Sequence, residues 1–346
     1  MDKVIYPSAL SHGSKIAVTA LSSGVGHVCH PRLEIVLKHL RVSGFNVIEG
    51  GCLRENFQHV SATPEQRAAE LMAFLCDDSI AAVAPPWGGE FAMEILPLLD
   101  FERLKTAKPK WLLGFSDIST VQLALMSKLG WSSIHCANLM QLHPNEQDEL
   151  TRQTLAHLSN AQLGYRFVQR SSTAYQLHGE SFVNNPDSVL NSTEQTIWKT
   201  YPHDSAVTLK GRLIGGCLDI LQYLVATDYL DLANLKQRFS PEGIVLYIEN
   251  AELSATALKR ALLSLRFRGV FALINGLLVG RNAVTDDGAR DISAEQALLD
   301  VISTLSIPVI YDVDIGHLPP NMTLFNGAYA QVHVSSGKGQ IVQALS

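Results

Sequence analysis

At 346 residues, with 47% hydrophobic and 17% charged residues and a formal charge of −6, the chain has an ordinary globular composition and enough length for two domains. It carries no run near the ~18 uninterrupted apolar residues of a membrane span and no basic block for a phosphate backbone, which excludes a membrane anchor of that kind and a nucleic-acid polymer as partner. Its start, MDKVIYPSAL, lacks the basic and apolar regions of a secretory signal, so the cytoplasm is the expected location, and the scattered cysteines Cys29, Cys52, Cys76, Cys136 and Cys217 read as reduced thiols without zinc-ligand spacing.

In chain order, KIAVTALSS from Lys15 reads as a strand, and PRLEIVLKHLRVSGF behind it has helical spacing closed by Gly44. FNVIEG is a second strand. TPEQRAAELMAFLCD follows as a helix, with Thr63 suited to the N-cap and Pro64 to the first turn. IAAVAPPWGG gives a third strand with a short helix behind it, and KWLLGFSD a fourth with a helix running to Gly130. Near-continuous apolar strands alternating with helices imply a parallel sheet covered on both faces, with ligands collecting beyond the carboxyl ends of the strands.

After about Gln141 the text turns polar, through HPNEQDELTRQT and NNPDSVLNSTEQTIWKTYPHD, and reads as a linker and an excursion over the surface. A second region follows, with LKGRLIGGCLDILQYLVAT, GIVLYIENAE, the helix TALKRALLSLRFRGVF, INGLLVGRN, a helix at SAEQALLDVISTL, IPVIYDVDIGH and the closing strands AYAQVHVS and QIVQAL. The expected division is an N-terminal α/β domain over 1–165, a linker and surface insert over 166–206, and a smaller C-terminal mixed β/α domain over 207–346.

Three places carry candidate chemistry. Ser116 stands at the sharp passage from strand to helix, where its hydroxyl can leave the sheet and the helix N-terminus can aim free N–H groups at an oxyanion. The G-x-S-x-G elbow is incomplete, since Ile118 stands where the second glycine belongs, and a plain helix cap remains the alternative. In APPWGGE, Gly88 and Gly89 let backbone approach a ligand closely. An N–H there can form half of an oxyanion hole, with the N–H of Asp117 as the other half, or the segment is simply a turn. Glu249 ends the apolar strand IVLYIE and His317 follows VIYDVDIG. Each alone suits a structural role; with Ser116 they supply nucleophile, orienting carboxylate and base.

Across nearly its whole length the chain resembles the LD-carboxypeptidase family of serine peptidases, which includes murein LD-carboxypeptidases and microcin C self-immunity proteins. The likeness rests on HGSKIAVTALSS, WGGEFAMEILPLLDFERL, LLGFSDIST, LIGGCLDIL, VLYIENAE and DIGHLPPNMTLFNGAYAQV, in that order. The resemblance implies an N-terminal flavodoxin-like parallel sheet with helices on both faces and a smaller C-terminal β/α domain. It implies catalysis by Ser116, Glu249 and His317 across the cleft between them, no metal or organic cofactor, and a homodimer. The chain departs from the commonest family text with IEN, where an aspartate often follows the glutamate, and with PPWGGEF, where many members carry RGGYG; the second bears on the substrate-facing wall.

The expected activity is hydrolysis of a C-terminal amide through an acyl-enzyme, on a small peptide or peptidyl-nucleotide. The long insert tilts the reading to immunity-type cleavage of peptidyl aminoacyl-nucleotides, with Gly88 on the substrate wall and Trp198 in TIWKTY as a stacking platform for a base or, alternatively, an anchor for the insert. Release of D-alanine from a murein tetrapeptide is the second reading. A non-catalytic small-molecule binding protein is the alternative from another class. A nucleotide-dependent oxidoreductase lacks its G-x-G-x-x-G after the first strand.

Overall fold

The computed structural model describes residues 4–203, 206–284 and 292–346. Its N-terminal lobe is built on β1 (Lys15–Val18), β2 (Asn46–Glu49), β3 (Ile80–Val83) and β4 (Trp111–Leu112), all parallel and in the order β2-β1-β3-β4. A parallel bridge from Leu113 to Ile134 adds β5 (Ile134–His135) beside β4, giving the 2-1-3-4-5 order of flavodoxin-like sheets.

The helices between these strands start and stop where their sequences direct. Pro64–Cys76 opens on a capping box: Gln66 N donates to Thr63 Oγ1 at 3.3 Å, and Thr63 N donates to Gln66 Oε1 at 3.2 Å. Ser119–Leu129 ends at Gly130, whose φ of +73° is open to glycine at little steric cost. That helix is buried nearly all round, from Ser119 to Met126, because both lobes pack against it.

The C-terminal lobe is an eight-stranded mixed sheet. Its strands are β6 (Arg166–Arg170), β9 (Lys199–Tyr201), β10 (Ala206–Cys217), β11 (Ile244–Glu249), β12 (Gly276–Gly280), β13 (Val309–Val313), β15 (Tyr329–Ser335) and β16 (Lys338–Ala344), in the order β6-β16-β15-β10-β11-β12-β13-β9. The run β10 to β13 is parallel; β15, β16, β6 and β9 join antiparallel. Two short ladders complete the pairing, β7 (Ala174–Tyr175) with β8 (Glu194–Gln195), and β14 (Leu324–Phe325) with β5.

The segment 166–206 therefore does more than cross the surface, since β6 and β9 form the two edges of this sheet. Strand β6 alternates in and out, burying Phe167 and Gln169. Two inward side chains, one of them polar, make too short an apolar period to stand out in the sequence.

One apolar core runs from Leu71, Leu112 and Val121 in the first lobe to Leu221, Leu246 and Leu262 in the second. The lobes are further joined where the Cys217 N–H donates to Ser119 Oγ at 3.2 Å, an approach that a Cβ on Gly216 would block at 2.4 Å from that oxygen. Among the described residues no helix is long and apolar enough to cross a membrane.

Candidate active site

The turn after β4 is held from below. Gln122 Nε2 donates to the carbonyls of Leu112, Gly114 and Ile134 at 3.2, 3.0 and 2.9 Å, and the Phe115 N–H donates to Asn138 Oδ1 at 2.9 Å. At the apex Ser116 has φ of +66°, a left-handed conformation that is costly for a residue with a Cβ and that clusters at functional sites. Ser116 is not the cap of the single turn Ser116–Ile118, because Phe115 occupies that position. Ile118 lies in the ordinary right-handed region, φ −59° and ψ −29°, so the missing second glycine is not required by the backbone here.

The Ser116 hydroxyl instead meets the second lobe. His317 Nε2 lies 3.0 Å from Ser116 Oγ, and His317 Nδ1 lies 2.8 Å from Glu249 Oε2. Glu249 is fully buried at the end of β11, in space left by two glycines: a Cβ on Gly316 would sit 2.6 Å from Oε2, and one on Gly280 2.8 Å from the glutamate's own Cβ.

Burial raises the Glu249 pKa and lowers that of His317. In each case the partner's opposite charge and the hydrogen bond outweigh it, so the carboxylate stays below its usual range and the imidazole titrates above its own. Phe115 packs edge-on to the His317 ring with centroids 4.9 Å apart.

Gly88 lies against the same turn. A Cβ there would come 2.8 Å from the Asp117 nitrogen and from Ser116 Cβ, and 2.9 Å from Ser116 Oγ. Gly89 follows at φ +141°, closed in by Ser22 Oγ at 2.4 Å and Ser23 N at 2.7 Å from its missing Cβ. The Asp117 carboxylate points the other way, accepting from the Ala92 N–H at 2.8 Å and the Thr120 hydroxyl at 3.0 Å. Burial raises its pKa.

Thus Ser116, Asp117, Gly88, Glu249 and His317 come together, with Gly89 directly behind. Trp198 does not offer itself as a platform. It is 1% exposed, a Cβ on Gly339 would overlap its ring, and its indole N–H donates to Asp314 Oδ2 at 2.9 Å. A ring sealed on the body of the fold presents no face to a base, so the anchoring alternative describes its placement.

Sequence reasoning missed three buried polar residues around the site: His135, Arg281 and Asp314. His135 lies under Phe115, with ring centroids 5.7 Å apart, and desolvation holds its pKa down to about 4. Arg281 and Asp314 form a buried ion pair at 2.8 Å. Nothing local marks them, except that Asp314 stands three residues before His317. Among the described residues no group of three or more His, Cys, Asp or Glu is arranged to hold a metal ion.

The profile of the LD-carboxypeptidase N-terminal domain matches residues 16–136, and that of the C-terminal domain matches residues 210–332. The chain belongs to the LD-carboxypeptidase family. Membership in this family of serine carboxypeptidases makes it a hydrolase. It is 23% identical to the microcin C7 self-immunity protein MccF of Escherichia coli, covering 83% of this chain and 81% of that one. It is 25% identical to the murein tetrapeptide carboxypeptidase of Pseudomonas aeruginosa, over 82% and 83% of the two chains. The fold matches that of MccF in complex with aspartyl sulfamoyl adenosine with a TM-score of 0.83 at 19% identity, over 99% of both chains.

Proposed function

We propose that this LD-carboxypeptidase family member cleaves a C-terminal amide of a small peptide conjugate through a Ser116 acyl-enzyme. His317 Nε2 takes the Ser116 proton as the oxygen attacks the carbonyl. Glu249, accepting from Nδ1–H, fixes the tautomer and stabilises the imidazolium. The N–H groups of Asp117 and Gly89 receive the oxyanion, with Gly88 on the wall facing the substrate. His317 then returns the proton to the leaving amine, and water repeats the sequence to free the acyl group. The observation that carries this reading is the continuous hydrogen-bonded chain from Ser116 Oγ through His317 to Glu249.

Of the two substrate classes, peptidyl aminoacyl-nucleotides are favoured. The similar solved structures of MccF hold aspartyl sulfamoyl adenosine and glutamyl sulfamoyl guanosine, and this chain carries a long insert beside the His317 loop. The murein reading stands second on the likeness to the murein tetrapeptide carboxypeptidase. The family resemblance brings with it a cytoplasmic homodimer.

Incubation with a peptidyl-aspartyl nucleotide amide and, separately, with murein tetrapeptide tests the proposal. Nucleotide release is expected, D-alanine release selects the second reading, and light scattering on the same sample reads the subunit count. Ser116→Ala is expected to lower turnover roughly 10⁶-fold with the fold intact. Wild-type turnover in that variant would end the nucleophile assignment.

A further inference from the structure

His317 sits on a loop, and a loop needs its polar backbone groups satisfied before it can hold an imidazole to a few tenths of an ångström. Around His317 that work is divided. Asn321 accepts from the Gly316 N–H and donates to the Gly316 carbonyl at 2.9 Å. Arg281 donates to the carbonyls of Leu318, at 2.9 and 3.2 Å, and Pro320, at 3.2 Å, on the far side of the histidine. The Pro319 carbonyl is taken by the N–H of Gln176, which belongs to the insert.

Asp314 is the point at which these supports join. It is fully buried, and its carboxylate accepts from four donors among the described residues: Arg281 Nη1 at 2.8 Å, Trp198 Nε1 at 2.9 Å, and Ser172 through its N–H at 3.1 Å and its hydroxyl at 2.5 Å. Arg281 thus grips the loop on one side and Asp314 on the other, while the ring of Tyr175 covers the guanidinium at 4.6 Å. Ser172, Tyr175, Gln176 and Trp198 all lie in the insert.

The other part of the insert is fastened to the lobe that carries Ser116. Buried Arg32 donates to the carbonyls of Pro186 at 2.9 Å and Ser188 at 2.7 Å, and lies over the Phe182 ring at 4.3 Å. Glu146 accepts from the Leu190 N–H at 3.0 Å. The insert is therefore a strap between the lobe with the nucleophile and the loop with the base.

We propose that Asp314 is a positioning residue through which the seated insert 172–198 holds His317 in register with Ser116 and Glu249. The proposal rests on the assignment of Ser116 as nucleophile and His317 as base. Asp314 touches no reacting atom; it acts by fixing the loop three residues downstream. A displacement of about 1 Å at a reacting group is enough to cost ~10²-fold in rate, so loosening the strap should be visible in the chemistry before it is visible in the fold.

The test is the rate at which a fluorophosphonate labels Ser116 in the full chain, followed against pH, because it needs no knowledge of the natural substrate. The double variant Ser172→Ala with Trp198→Phe removes two of the donors to Asp314 and leaves the Arg281 pair in place. It is expected to fold with a lowered Tm, to label on the order of ten-fold more slowly at a temperature where it is fully folded, and to show its acid limb at lower pH, because an imidazole less tightly held to Glu249 loses the interaction that raises its pKa.

Asp314→Asn is expected to act in the same direction and more strongly. Should it fail to fold, the double variant still decides. Labelling at the wild-type rate, or slower labelling with an unmoved acid limb, would overturn the positioning role. A wild-type protein that is not labelled at Ser116 would instead bring down the serine-hydrolase reading beneath it.

Discussion

Burial alone would neutralise both Glu249 and His317, yet each keeps the other charged across a 2.8 Å hydrogen bond. The sign of the consequence follows from the role of the base. In the proposed mechanism His317 must be unprotonated to accept from Ser116, so activity is expected to fall as pH drops through its pKa, which is raised above the ordinary 6.5 of imidazole. Glu249→Gln removes the charge that raises it. The acid limb of kcat/KM should then move down in pH while the plateau falls ~10⁴-fold, as when the orienting carboxylate of a triad is made an amide. A pH–rate profile of the two proteins checks both effects, and an unmoved limb would mean that another group limits the acid side. Ser116, Glu249 and His317 each follow a short apolar run, but singly each suited a cap or a structural role, and the ordered family motifs around them were what gathered them into the proposed triad. His135 and Asp314 were not legible, since a lone polar residue acquires meaning only from neighbours that are distant in sequence.

At the scale of single elements, the βα alternation, the Thr63 cap and the Gly130 stop could all be read directly, because each is a local agreement between side chain and backbone. The elbow was half legible: the strand, the serine and the helix were plain, but only the left-handed φ of Ser116 distinguishes a nucleophile's turn from a helix cap. Strands β6 and β9 were hidden because their partners, β16 and β13, lie more than a hundred residues away. The glycine turn offers the sharpest test at this scale. Gly88 has no left-handed requirement, but the methyl of Gly88→Ala would come 2.8 Å from the Asp117 nitrogen and Ser116 Cβ, so the turn has to shift away from it. Turnover should fall ~10²–10³-fold, as on losing an oxyanion donor, in a protein that still folds with a lowered Tm. Unaltered kcat would remove the oxyanion hole from this place.

Across the whole molecule, one apolar cluster passes from the first lobe into the second and couples them, while a further cluster lies mainly within each lobe, around Leu33 and Trp111 in the first and Val245 and Ile310 in the second. Unfolding by urea is expected to be a single transition in which far-ultraviolet dichroism, near-ultraviolet dichroism and activity are lost together. Two separated midpoints would show the lobes to be independent. Length and composition suggested two domains from the sequence, but the shared core was out of reach, because an apolar helix face does not say which sheet it covers.

The 201 residues that separate Ser116 from His317 also order events in time. A ribosome adding ~5–20 residues per second needs roughly 10–40 s to reach the histidine after the serine has been made. On the proposed mechanism, the nascent chain carries an ordinary alcohol throughout that interval, unable to attack the peptides around it. A hydrolase built this way would be switched on only when its late-made half closes over the early one.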